Sequence, residues 1–96
     1  MKYSFSIVSH NQQHLCKAAI DSIIDNIDED FEVLLTLNTS EELVIDLDSN
    51  INFKVIPNPK PLGFGTNHNN AFKLSKGDYF VVVNPDTRIN KWSEVN

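Results

Sequence analysis

The sequence predicts an α/β fold: a Rossmann-like parallel sheet of about four strands with helices on both faces. Three observations carry this expectation. Strand-like runs alternate along the chain with segments of helical period. The run Tyr79-Phe80-Val81-Val82-Val83 is aromatic and β-branched throughout, as in a strand buried on both faces. Polar loops follow the strand-like runs, and in a parallel sheet such loops gather along the carboxyl edge, where ligands bind.

The first strand-like run is Tyr3-Ser4-Phe5-Ser6-Ile7-Val8. It alternates, then turns apolar, and ends at the polar loop Ser9-His10-Asn11. Asn11 is a suitable N-cap for a helix starting there. From Gln12 to Ile27 the period becomes helical: Leu15, Ala18, Ala19, Ile23 and Ile27 form a stripe, widened by Ile20 and Ile24. Cys16 reads as a small buried side chain on that helix. The acidic connection Asp28-Glu29-Asp30 leads to a second strand, Phe31 to Leu37, nearly continuous in apolar residues. Asn38-Thr39-Ser40-Glu41-Glu42 has the form of a helix start, so a short helix from Ser40 to Leu47 is expected.

Ile51 to Ile56 alternates, with polar positions that suit a strand at the sheet edge. Pro57-Asn58-Pro59-Lys60-Pro61 fixes an extended loop. The stretch from Leu62 to Gly77 is a glycine-rich entry into a helix, with Gly77 at the position of a C′ residue. The fourth strand comes next and stops at Asn84-Pro85-Asp86, a proline-stiffened turn bearing one carboxylate. Lys91-Trp92-Ser93-Glu94-Val95-Asn96 is a candidate start of another element.

Bulk properties narrow the function. Ninety-six residues make one domain, and a chain of this size buries roughly 60–65% of its unfolded surface. An apolar content of 41% with 22% charged residues is ordinary globular composition. The net charge of −5 provides no general basic face for nucleic acid. The single cysteine agrees with a reducing compartment, and no apolar run reaches the ~20 residues of a transmembrane segment. No GxxxxGK[ST] string is present, which excludes a P-loop. Gly63-x-Gly65 follows prolines and lacks the third glycine of a dinucleotide fingerprint.

The predicted rim gathers Ser9, His10 and Asn11, then Asn38 and Thr39, then the Gly63–Asn67 segment, then Asn84, Pro85 and Asp86. Neutral donors and acceptors around one carboxylate suit a nucleoside and a metal-bridged diphosphate better than proton chemistry. Three histidines, His10, His14 and His68, are too scattered along the chain to suggest a zinc site.

Ser6-Ile7-Val8-Ser9-His10-Asn11, Leu62-Gly63-Phe64-Gly65 with Asn67 and Asn69, and Val83-Asn84-Pro85-Asp86-Thr87 together resemble the amino-terminal half of a family 2 glycosyltransferase of the GT-A fold. The nearest likeness is to rhamnosyltransferase-like members that build surface polysaccharides of the cell envelope. The resemblance runs from Tyr3 to Ile89. It implies binding of a nucleotide-diphosphate sugar for transfer to a saccharide or lipid-linked acceptor. It places Ser9, His10 and Asn11 at the base, Gly63, Gly65, Asn67 and Asn69 beside the nucleotide, and Asn84 and Asp86 at the diphosphate.

Asp86 is the implied ligand of a divalent cation, Mg²⁺ or Mn²⁺. Two departures stand out. Leu37 occupies the place of the family's base-reading Asp, with Asn38 beside it, and only Asp86 remains of the Asp-x-Asp pair. The same resemblance implies a cytoplasmic protein or one peripheral at the inner membrane face. It also implies a truncated domain, residues 1–96, without the acceptor half and its catalytic base. The fourth strand would then keep an exposed edge open to self-association. The other reading is a non-catalytic nucleotide-binding or structural remnant that packs with a partner.

Overall fold

The computed structural model describes residues 1–88; the suggested element at 91–96 lies outside the described residues. The chain runs β1 (Tyr3–Ser9), α1 (Gln13–Asn26), β2 (Phe31–Leu37), β3 (Asn52–Pro57), α2 (Phe64–Leu74) and β4 (Tyr79–Val83). The strands form one sheet in the order β3-β2-β1-β4, and every pairing is parallel. All four carboxyl ends therefore lie along one rim. As the sequence led one to expect, β3 is an edge strand; β4 pairs with β1. Among the described residues no strand pairs with the other side of β4.

The two faces of the sheet differ in chemistry. Tyr3, Phe5 and Ile7 of β1 are in register with Phe31, Val33 and Leu35 of β2, so they share a face. That face packs on Cys16, Ala19, Ile20, Ile23 and Ile27 to make the hydrophobic core, which Val83 and Ile45 complete. The opposite face presents Ser4, Ser6, Glu32, Thr36 and Asn38, all buried, beneath Asn67, His68 and Ala71 of α2. Thus α1 covers an apolar face, and α2 covers a mixed one, where buried polar residues that need hydrogen-bond partners surround Leu34.

The polar layer explains how the far end of the sheet is closed. The Glu32 side chain, 1% exposed, accepts from Ser4 Oγ at 2.6 Å and from the Lys76 backbone N–H at 2.6 Å. Lys54 Nζ stands 3.2 Å from its other oxygen. Ser4 Oγ in turn accepts from the Gly77 N–H at 2.8 Å. A Cβ on Gly77 would lie 2.6 Å from the Ser4 nitrogen. Gly77 is thus required for close approach to β1. It is not the C′ residue of α2, because the helix ends at Leu74 with Ser75 as its cap.

Two further expectations are corrected. No helix forms between Ser40 and Leu47. Gln13 takes the backbone groups that would have built it: its Nε2 donates to the Glu42 carbonyl at 2.8 Å, and its Oε1 accepts from the Val44 N–H at 2.8 Å. Asn11 is not the N-cap of α1. Gln12 holds that position, and Asn11 adopts a left-handed conformation with φ 61°, which asparagine tolerates better than most residues.

Candidate functional site

The carboxyl rim is built around two side-chain hubs. The first is Glu41. Its Oε1 accepts from Ser9 Oγ at 2.9 Å and Gln13 Nε2 at 2.8 Å. Its Oε2 accepts from the Asn11 N–H at 2.7 Å and Thr39 Oγ1 at 2.6 Å. Burial pushes the Glu41 carboxyl up, but these four donors outweigh it and hold the group below its ordinary value. Glu41 therefore ties the loop after β2 to the loop after β1 and helps fix the Asn11 turn.

The second hub is a chain of three buried amides, Asn38, Asn58 and Asn67. Asn58 Nδ2 donates to Asn38 Oδ1 at 2.9 Å and to Asn67 Oδ1 at 2.8 Å. Asn38 Oδ1 also accepts from the Leu62 N–H at 2.8 Å, while its Nδ2 donates to the Leu62 carbonyl at 3.0 Å. Asn67 Nδ2 reaches the same carbonyl at 3.2 Å. Both backbone groups of Leu62 are held, so the entry into α2 is clamped to the end of β2. Asn38 Nδ2 also contacts the His10 ring, 3.2 Å from Nδ1.

Between β1 and β4 the rim opens into a cleft of about 120 Å³ lined by Val8, His10, Gln12, Phe64, His68, Val83, Asn84 and Pro85. Asn84 and Asp86 are exposed on the β4 side. Gly63 and Gly65 are exposed where α2 begins; neither has positive φ, and a Cβ on either would meet nothing within 4 Å. The local fold does not demand glycine at these positions, and they leave open space above the helix start.

The predicted residues thus divide. His10, Asn11, Gly63, Gly65, Asn84 and Asp86 reach the solvent side of the rim. Ser9, Asn38 and Asn67 are buried beneath it, their polar groups occupied by Glu41, Leu62 and Asn58. Asn69 is exposed on α2, and its side chain makes no hydrogen bond with a described residue. Among the described residues no group of three or more His, Cys, Asp or Glu could hold a metal ion. One carboxylate with an amide neighbour fits a divalent cation only when ligand oxygens complete its coordination.

Three contributors escaped the sequence reading: Glu41, Asn58 and His68. Asn58 carried the clearest signal, a polar residue locked between two prolines. Cys16 is buried, and desolvation raises its thiol above the ordinary value, so it stays protonated and inert. No described helix is long and apolar enough to cross a membrane.

The family model for glycosyl transferase family 2 matches residues 4–93. A search of curated proteins finds no match. Among solved structures, the crystal structure of S. aureus TarS 1-349 superposes with a TM-score of 0.80 and 24% identity, covering 95% of this chain and 29% of that one. S. aureus TarS 1-349 in complex with UDP gives a TM-score of 0.74 and 22% identity, covering 90% and 28%. A further structure of S. aureus TarS gives 0.73 and 22%, covering 90% and 17%. At these identities the likeness is one of fold. The chain spans less than a third of the length of each structure it matches.

Proposed function

The chain belongs to glycosyl transferase family 2, and on that premise we propose that its carboxyl rim binds a nucleotide-diphosphate sugar as the donor half of a sugar-transfer reaction. One observation carries the reading. The family match spans a parallel sheet whose ligand-binding edge is open between β1 and β4, with Asn84 and Asp86 exposed there.

The nucleoside lies over the loops after β1 and β2, and the diphosphate lies toward Asn84 and Asp86. Asn38 and Asn67 act by clamping Leu62, since their amides are already taken within the protein. Gly63 and Gly65 admit the ligand close to the backbone. A divalent cation, Mg²⁺ or Mn²⁺, would be held by Asp86 together with the diphosphate, and when bound it supplies Lewis-acid stabilisation of the departing nucleoside diphosphate. The protein's own part is to orient the donor and to present uncharged donors to its oxygens.

Transfer needs a base to deprotonate an acceptor hydroxyl. No described residue of the rim is given that role, and the proposal is confined to the donor side of the reaction. The same proposal includes a saccharide or lipid-linked acceptor, a rhamnosyl donor, and action at the inner face of the cell envelope. A second reading, a non-catalytic remnant that packs with a partner or with itself, draws on the open edge of β4, where Tyr79 is 59% and Val82 45% exposed.

Calorimetric titration of UDP, dTDP and GDP, each with and without Mn²⁺, tests the donor reading. Binding of at least one, strengthened by Mn²⁺ and losing that increment in Asp86→Ala, is expected. No binding of any of the three overturns it, and preference for dTDP over UDP favours the rhamnosyl assignment.

A further inference from the structure

His68 stands apart from the other histidines. It is 6% exposed, on the polar face of the sheet, and its Nδ1 lies 2.8 Å from Ser6 Oγ. The Ser6 side chain is fully buried, and among the described residues the imidazole is its only hydrogen-bond partner. That pairing fixes the proton. If Nδ1 carried it, the Ser6 hydroxyl hydrogen would have no acceptor, a cost that a buried hydroxyl avoids. The hydroxyl therefore donates to Nδ1, and the proton of the neutral ring sits on Nε2.

The other side of the ring belongs to the cleft. His68 lines it with His10, Asn84 and Pro85. The Phe64 ring packs edge-on against the imidazole, with centroids 4.5 Å apart, and holds its plane. Among the described residues Nε2 has no hydrogen-bond partner, and it is not one of the polar atoms sealed from solvent without one. Among the described residues no carboxylate contacts the ring, and burial lowers its pKa below the ordinary 6.5, so it is neutral at pH 7.

We infer that His68 is a ligand-contacting residue whose Nε2–H, set by Ser6, donates to a diphosphate oxygen of the nucleotide sugar. The inference rests on the donor-binding reading of the rim. It adds an uncharged donor on the floor of the cleft to the groups at Asn84 and Asp86. Ser6 is its positioning residue: it never meets the ligand, but it determines which nitrogen offers the proton.

Two measurements test this. Long-range ¹H–¹⁵N correlation spectra of the free protein at pH 7.5 report the tautomer without ligand or variant; a protonated Nε2 is expected, and a protonated Nδ1 overturns the inference. Ser6→Ala should yield a mixture of tautomers and weaken binding no more than about twofold, the factor for halving the competent form. The tightest binder of UDP, dTDP and GDP is then titrated into His68 variants checked for folding by their amide spectra. His68→Leu should lose about ten- to a hundredfold in affinity, the worth of one hydrogen bond to a charged group, and His68→Gln, which keeps a donor near Nε2, should recover most of it. The corresponding nucleoside should be insensitive to both changes. Unchanged nucleotide affinity in His68→Leu, or an equal loss with the nucleoside, overturns the role of His68 and leaves the donor reading standing. Failure of every nucleotide to bind the wild type overturns both.

Discussion

Gly65 separates what folding needs from what a ligand needs. It lies in the first turn of α2 with no positive φ and with open space where a Cβ would stand. Gly65→Ala should therefore stabilise the free protein by about 0.4–1 kcal/mol, since alanine loses less backbone entropy in a helix. The same methyl group should weaken nucleotide binding if the ligand approaches here. Urea unfolding and calorimetry on one variant read both effects, and a destabilised variant would contradict the open geometry. Asn58 is the opposite case. Asn58→Ala removes the amide donor shared by Asn38 and Asn67 and should cost about 1–3 kcal/mol by urea unfolding, the penalty of leaving buried acceptors short of a partner. Asn58 attracted attention in the sequence only as part of a proline-rich loop. Its role depends on Asn38, 20 residues earlier, and on Asn67, 9 residues later, and no local pattern joins them.

At the level of elements, strands and helices were legible where side-chain period and burial agree. Cys16, Ala19, Ile20, Ile23 and Ile27 face the core as a helical stripe should, and β2 is buried along nearly its whole length. The helix expected from Ser40 to Leu47 does not form, because its local signals were sound but a distant side chain, Gln13, captures its backbone groups. The edge of β4 is the element-level liability. Self-association through it is part of the proposal above, and Val82 stands exposed on the strand. Val82→Lys should reduce the associated fraction in sedimentation velocity at fixed protein concentration, because a charge on an open edge opposes strand addition. An unchanged distribution would show that the edge is not the contact.

For the whole molecule, pH dependence arises from groups on both ends of the sheet. Burial raises the Glu32 carboxyl, but Ser4, Lys76 and Lys54 outweigh it, so its pKa is lowered, like that of Glu41. A lowered folded-state pKa means that the unfolded chain binds protons more readily, so stability is present above the ordinary value and lost as pH falls through the folded one. These two carboxylates place the loss below about pH 4.5. His68 is lowered by burial, so it adds an earlier decline beginning below about pH 6.5. Cys16 is raised by burial, and its stabilising contribution is lost at the alkaline end, above about pH 9. Thermal unfolding across pH should show a plateau between these limits with a two-part acid limb. His68→Gln should remove the upper part of that limb alone.

The sequence by itself determined the layered α/β architecture, the order of its four strands' polar loops and the presence of Asn84 and Asp86 at the end of β4. Those features depend on local period, turn chemistry and the rule that parallel strands end on one rim. Only the tertiary structure decided which polar residues face a ligand and which hold the rim together. Ser9, Asn38, Asn67 and His68 look alike in the sequence, as polar residues in or beside the predicted rim segments. Packing against the polar face of the sheet pairs the first three within the protein, and leaves the imidazole of the fourth with one nitrogen turned to the cleft. The difference comes from hydrogen bonds between residues far apart in the chain, which have no signature in local spacing.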